Sequence, residues 1–296
     1  MPAPPYDDFH ARATVAQLFV YPVKSCGGIA LQQSPLAASG LAFDRAWMVV
    51  DEQGFFVTQR SLPRMALVRP ELRAHDLVLR APGMPELAVP LALAGPQLQV
   101  RVWRDTLLAR EQGDLAAQWF SDFLGQRLWL VRCDPAHPRL SSKDWTGGRD
   151  APNLFSDGYA LLVVSQASLD GLNERLLRQG RAPVGMERFR PNLVLAEVEA
   201  HDEDRFEMLH IGGGDGDGAG EEIQLQPVKP CVRCPIPNID PATALSDPAV
   251  GDALQGYRSD PRMGGGVTFG TNAIVRAGAG QVLRVGQPVY ANYRFD

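Results

Sequence analysis

The sequence predicts a mainly β protein with a few helices, of the α+β class. Two observations carry that expectation. Short, apolar, β-rich runs recur along the whole chain, and 29 Gly with 24 Pro among 296 residues punctuate it too often for long helices. Helical period appears in two segments only.

In chain order, the first predicted strand is VAQLFVY at 15–21. Runs 46–50 and 55–59 read as a hairpin, because they flank Asp51-Glu52-Gln53-Gly54 and Gly54 is free to take the positive φ such loops need. Strands follow at 76–79, 98–103 and 128–131. The helix at 114–124 rests on Leu115, Trp119, Phe120 and Phe123 sharing a face, with Gly125 as its stop. Between Asp134 and Asn153 the apolar content falls, and HPRLSSKDWTGGRDAPN reads as an inter-domain connection. Beyond it come a strand at 161–164 and a helix at 168–178, the latter on Leu169, Leu172, Leu176 and Leu177 with Gly180 just past it. Strands at 192–198, 223–227, 269–276 and 281–290 complete the series. GGGDGDGAGEE at 212–222 has the composition of a mobile turn; a phosphate cradle there would need a following Lys and a helix N-terminus, which it lacks.

Composition narrows the function classes. The chain is 45% apolar and 21% charged, which excludes a disordered, collagen-like or disulfide-dense protein. Its net charge of −5 gives no overall basic field, so nucleic acid is not an expected partner. MPAPPYDDFHARATVAQ shows no secretory pattern and no run approaches a membrane span, so the protein is expected to be soluble and cytoplasmic. Four cysteines are too few for a secreted scaffold; Cys26 and Cys133 stand alone, whereas Cys231 and Cys234 form a C-x-x-C pair.

That pair, in KPCVRCPIPNIDP, admits several chemistries: half a zinc site, a redox dithiol, one thiolate ligand to a metal with the second cysteine in support, or simply two small buried side chains. Closed zinc needs two further ligands, and the five His show no suitable pair. A thioredoxin-like dithiol wants a helix N-terminus, whereas Pro230, Pro235 and Pro237 frame this loop. Lys229 and Arg233 beside it would favour a thiolate. Two further constellations stand out. YPVKSCGG puts Lys24 and Ser25 at a strand end, with Arg45 of FDRAW to add a bidentate fork for an anion. In MERFRPNLVL, Arg190 precedes an apolar strand and wants an anionic partner, from protein or ligand. Taken singly, each has an ordinary structural explanation.

YPVKSC, FDR, SDGYALLVVSQASL, FRPN, CVRC and FGTNAIV…VGQPVY occur in that order, and together they resemble the MOSC-domain proteins that carry an N-terminal MOSC β-barrel, the group of the mitochondrial amidoxime reducing component and its bacterial relatives. The resemblance spans about residues 14 to 292 and implies an N-terminal MOSC β-barrel domain at 12–135, a connecting loop at 136–152 and a β-barrel MOSC domain at 153–293. It further implies a molybdenum cofactor, with molybdenum on the dithiolene of a pyranopterin phosphate. The implied metal ligand and catalytic residue is Cys234. Implied cofactor-binding residues are Lys24, Ser25, Arg45, Arg190 and Asn192, then Asp157, Gly158 and Tyr159, then Val232, Arg233 and Asn272. The sequence departs from the amidoxime reducing proteins where Gly158 and Tyr159 replace small hydroxyl residues and Val232 replaces a serine.

The implied activity is a molybdenum-dependent oxidoreductase that removes the oxygen of N-hydroxylated compounds such as amidoximes, hydroxylamines and N-hydroxylated bases. The alternative is a module that carries the molybdenum cofactor or sulfur without turnover, because MOSC domains also end the enzyme that sulfurates the cofactor. That enzyme brings a family-level association with pyridoxal phosphate, for whose domain the chain has no room. With no G-x-G-x-x-G and no iron–sulfur cysteine cluster, a separate electron-transfer protein of ferredoxin, flavoprotein or cytochrome b5 type is expected.

Overall fold

The computed structural model describes residues 9–212 and 222–295. Most of the glycine-rich segment at 212–222 therefore lies outside the described residues.

Seven strands close into a barrel. Leu161–Ser165 runs parallel to Leu193–Ala196, which pairs antiparallel with Ala11–Val20. Pro288–Tyr293, Phe206–Ile211, Ile223–Val232 and Gly266–Ala277 follow, and the last pairs back onto Leu161–Ser165. Alternation drives this closure: Ala13, Val15, Leu18 and Val20 of the first strand are buried, and Val15 and Leu18 join Leu161, Val163, Leu193, Leu225 and Val289 in one core. The N-terminal strand is thus a stave of a barrel whose other staves lie beyond residue 160. Pro227 and Pro230 cannot donate to the ladder, and the register of Ile223–Val232 shifts at Pro227/Lys229 and again at Pro230/Val232. These irregularities bend the strand end that carries the cysteine loop.

A second sheet orders Trp47–Val50, Trp129–Cys133, Asp105–Glu111 and Gln97–Val102. Helix α1 (Asp114–Leu124) covers it through Trp119, Phe120 and Phe123, in a core shared with Trp47, Met65 and Leu130. Gly125 ends α1 in the left-handed conformation, φ 74°. Helix α2 (Gln166–Arg178), N-capped by Ser165, packs beside the short helix α3 (Ala249–Gln255).

Several expectations need correction. Leu115 is 82% exposed and Leu177 is 58% exposed, because each lies roughly 100° or more around its helix from the centre of the buried stripe. The run at 55–59 is not a strand. Its tight turn forms, with Asp51 N–H donating to Phe55 O and Gly54 at φ 76°, but after the Val50–Phe56 bridge the chain leaves the ladder. There Thr58 Oγ1 accepts from Arg60 N–H and Gln59 Nε2 donates to Ser25 O, so both serve the cleft described below. The run at 281–290 splits at Gly286, φ 86°, into Val282–Arg284 and Pro288–Tyr293.

Candidate active site

The predicted site residues meet in one cleft, between the barrel and the loops at 23–25, 45 and 58–60. Lys24, Ser25 and Arg45 line one side of it. Asp157, Gly158 and Tyr159 lie along it with Asn272, and Arg190 and Asn192 lie beneath. Val232, Arg233 and Cys234 supply the remaining wall.

The backbone is unusual here. Eight described non-glycine residues adopt positive φ, and Ser25 (66°), Arg45 (48°) and Arg190 (59°) are three of them. Such conformations cost about 1–3 kcal/mol each and persist where surrounding structure enforces them. Arg45 is enforced on several sides: its guanidinium donates to Asp44 Oδ2 at 2.5 Å, to Asn192 Oδ1 at 3.1 Å and to Arg190 O at 2.9 Å, and it lies 4.4 Å from the Tyr21 ring centre. Asp44 is braced by accepting from Tyr21 N–H at 2.8 Å.

Arg190 lies 4.3 Å from the same Tyr21 ring and donates through Nη1 to Cys26 O. It makes no ion pair among the described residues, and its buried Nη2 has no acceptor. Burial first, then the charge of Arg45, pulls its pKa down to about 10. The fold therefore desolvates a cation without giving it a carboxylate. Lys24 differs, because its ammonium reaches Phe155 O at 2.8 Å and Asp157 Oδ1 at 2.5 Å. Desolvation lowers the Lys24 pKa and Asp157 opposes that. Desolvation of Asp157 works against its ionisation, but the charge and hydrogen bond of Lys24 prevail and hold its carboxyl well below the usual range.

Two expected binders are occupied structurally. Asn192 is buried; its Oδ1 accepts from Arg45 and from Leu162 N–H at 3.1 Å, while Nδ2 donates to Phe19 O at 3.2 Å. Asn272 donates to Lys229 O at 3.1 Å, tying the Gly266–Ala277 strand to the cysteine strand. Arg233 donates to Cys231 Sγ at 3.1 Å and to Phe189 O at 3.0 Å, and its buried Nε has no partner. Cys231 thus orients the arginine between the two cysteines. Cys234 is a free, half-buried thiol that makes no hydrogen bond among the described residues. Lys229 Nζ lies 5.4 Å from the Trp145 ring centre. No three His, Cys, Asp or Glu side chains converge for a protein-only metal site among the described residues.

Residues without a local sequence signature complete the walls. Arg60 lies 4.6 Å from the Trp103 ring centre, and Trp103 Nε1 donates to Asp157 Oδ1 at 3.2 Å. Arg139 donates to Ser156 O at 2.6 Å and pairs with Asp105, fixing the loop that presents Asp157. Only their long-range partners give them a role, so nothing local marks them.

Residues 12–127 match the family described as MOSC N-terminal beta barrel domain, and residues 150–290 match the MOSC domain. The chain is 34% identical to mitochondrial amidoxime-reducing component 1 of Mus musculus, over 94% of this chain and 82% of that one. It is 32% identical to mitochondrial amidoxime reducing component 2 of Homo sapiens, over 94% and 83%. Similarity to the molybdenum cofactor sulfurase of Oryza sativa is 30%, over 96% of this chain but 35% of that protein.

Proposed function

The chain belongs to the family that joins a MOSC N-terminal beta barrel domain to a MOSC domain, and from that premise we propose that it is a molybdenum-cofactor-dependent reductase of N-hydroxylated compounds. The buried, unpartnered Nη2 of half-buried Arg190 carries the reading. A guanidinium desolvated beside a second one, with no carboxylate and with Nη2 left without an acceptor, suits a site completed by an anion. A pterin phosphate meets that need, and Arg45, Arg190 and Ser25 would hold it. Cys234 would give the metal its one protein thiolate, as suits a site where no further ligands gather.

When bound, the cofactor supplies two-electron chemistry for removing oxygen from an N–OH group. The chain's own groups do the rest. Arg233, oriented by Cys231, keeps a buried Nε without a protein partner and would have that donor free for the cofactor. Asp157, kept ionised by Lys24, holds the loop 156–159 against the cleft and fixes Trp103 at its mouth. In this reading units 12–135 and 153–293, joined by 136–152, act together, the first lending its opening strand to the second's barrel. Electrons come from a separate carrier of ferredoxin, flavoprotein or cytochrome b5 type. No helix among the described residues is long and apolar enough to cross a membrane, and a cytoplasmic location is part of the proposal.

Expression in a host that makes the cofactor, followed by molybdenum and pterin analysis and benzamidoxime turnover with an artificial donor, tests it. Stoichiometric molybdenum with turnover is the expected result. Similarity to the sulfurase favours a second reading, a carrier of cofactor or sulfur; molybdenum bound without turnover by any donor would support it. No molybdenum from such a host would overturn both.

A further inference from the structure

Beyond Cys234 the cleft opens into an outer mouth built about equally by the two halves of the chain. Strands Gln97–Val102 and Asp105–Glu111 pair with Val102 opposite Asp105, so Trp103 and Arg104 form a two-residue turn. Such turns favour Asn and Gly because positive φ is required. Here Trp103 takes φ 55° and is 49% exposed as a residue at the mouth. A bulky side chain in that conformation costs stability, which its packing on Phe56 at 5.0 Å and its bond to Asp157 offset in part, and the rest of the side chain stays exposed at the mouth.

The mouth is also basic. Arg60, Arg104, Arg139, Lys229 and Arg233 line it against two carboxylates, Asp105 and Asp157. Both acids are committed, Asp105 to Arg139 at 2.6 Å and Asp157 to Lys24 at 2.5 Å. Arg60, Arg104 and Lys229 form no ion pair among the described residues. Arg60 lies over the Trp103 ring and Lys229 over Trp145, so two of these cations border aromatic platforms. Exposed Val232 adds an apolar surface beside Cys234.

We propose that this mouth selects aromatic N-hydroxylated acids: the ring lies on Trp103, the N–OH group points inward past Val232 toward Cys234, and a carboxylate on the far side meets Arg104 and Lys229. The proposal rests on the reductase reading for its N–OH end and on the mouth alone for its ring and carboxylate ends.

Titration calorimetry on the cofactor-free protein with 4-carboxybenzamidoxime and with benzamidoxime tests the mouth directly. The carboxylate compound should bind about fivefold tighter or more at low salt, with the advantage shrinking as ionic strength rises. In Arg104→Gln/Lys229→Gln the two compounds should bind equally, whereas Trp103→Gly should weaken both, with thermal melts checking that each variant folds. Equal binding by the native protein, or a preference that survives salt or the double substitution, overturns the proposal. On the loaded protein, the ratio of kcat/KM for the two compounds should fall with the same double substitution. Turnover of both compounds without preference would overturn the mouth alone, and preference in binding without turnover of either would overturn the reductase reading alone.

Discussion

Arg45 and Arg190 are tied to each other: Nη2 of Arg45 donates to the carbonyl oxygen of Arg190 at 2.9 Å, although the two residues come from opposite halves of the chain. Both guanidinium groups also rest on Tyr21, so two like charges share one ring. Separate motifs in the sequence thereby become one cationic floor.

Substituting Arg190→Ala should reduce molybdenum content at least tenfold, since one charge-assisted contact to an anion is worth about 1.5–3 kcal/mol. Removing a desolvated cation from beside Arg45 should leave the thermal midpoint of the cofactor-free protein unchanged or raised. Metal analysis and a melting curve check the two halves, and unchanged molybdenum would refute the phosphate role.

The two cysteines should separate cleanly. Cys234→Ser should abolish molybdenum retention. Cys231→Ala should keep the metal but slow turnover, because Arg233 loses an acceptor at 3.1 Å, and Cys231→Ser, whose hydroxyl can still accept, should recover part of the rate. Molybdenum per chain and kcat for the three variants distinguish ligand from positioning residue.

Asn192→Ala should cost about 2–3 kcal/mol in urea unfolding, because it strands the buried Leu162 N–H and Phe19 O and releases Arg45. A loss below about 0.5 kcal/mol would contradict the bracing role.

Glu203 is buried in the polar cluster with Ser168 and His201. Burial first, then Asp204, raises its pKa from 4.5 to about 7. The folded state therefore holds a proton that the unfolded chain has released, and stability falls as pH rises through that window. Burial lowers His201 from 6.5 to about 4, which gives the opposite slope between those values. In the native protein the two trends offset each other over the shared range. Glu203→Gln removes the falling branch, so its stability relative to the native protein should be about 3 kcal/mol better near pH 8 than near pH 4.5. Chemical denaturation at the two pH values checks this.

Local pattern made some of the fold legible and long-range pairing hid the rest. Helix 114–124 was readable from Trp119, Phe120, Phe123 and Gly125, because helical period and a glycine stop are local. Leu115 misled because sequence spacing places a residue on a stripe without fixing where that stripe is centred. Nothing local shows that Ala11–Val20 pairs with Pro288–Tyr293. In the site, ordered motifs brought every expected residue to one cleft, but residue type alone could not show that Asn192 is spent on Arg45 and the backbone. Trp103, Arg60 and Arg139 carried no motif; the glycine-free turn at 103–104 was the one available hint for Trp103.

The barrel stave Ala11–Val20 also sets an order of events during biosynthesis. It leaves the ribosome early, yet its partners Leu193–Ala196 and Pro288–Tyr293 are made much later. Until then only its Leu18–Val20 end has a partner, the nearby Ile29–Leu31, and the rest is an open apolar edge whose distant pairings are slow to form. The floor that joins Arg45 to Arg190 and the wall that carries Cys234 cannot assemble earlier. On the proposed reading, cofactor loading would therefore follow synthesis of Gly266–Ala277, the latest strand to line the cleft, and a chain released before Pro288 would still expose the Ala11–Thr14 edge.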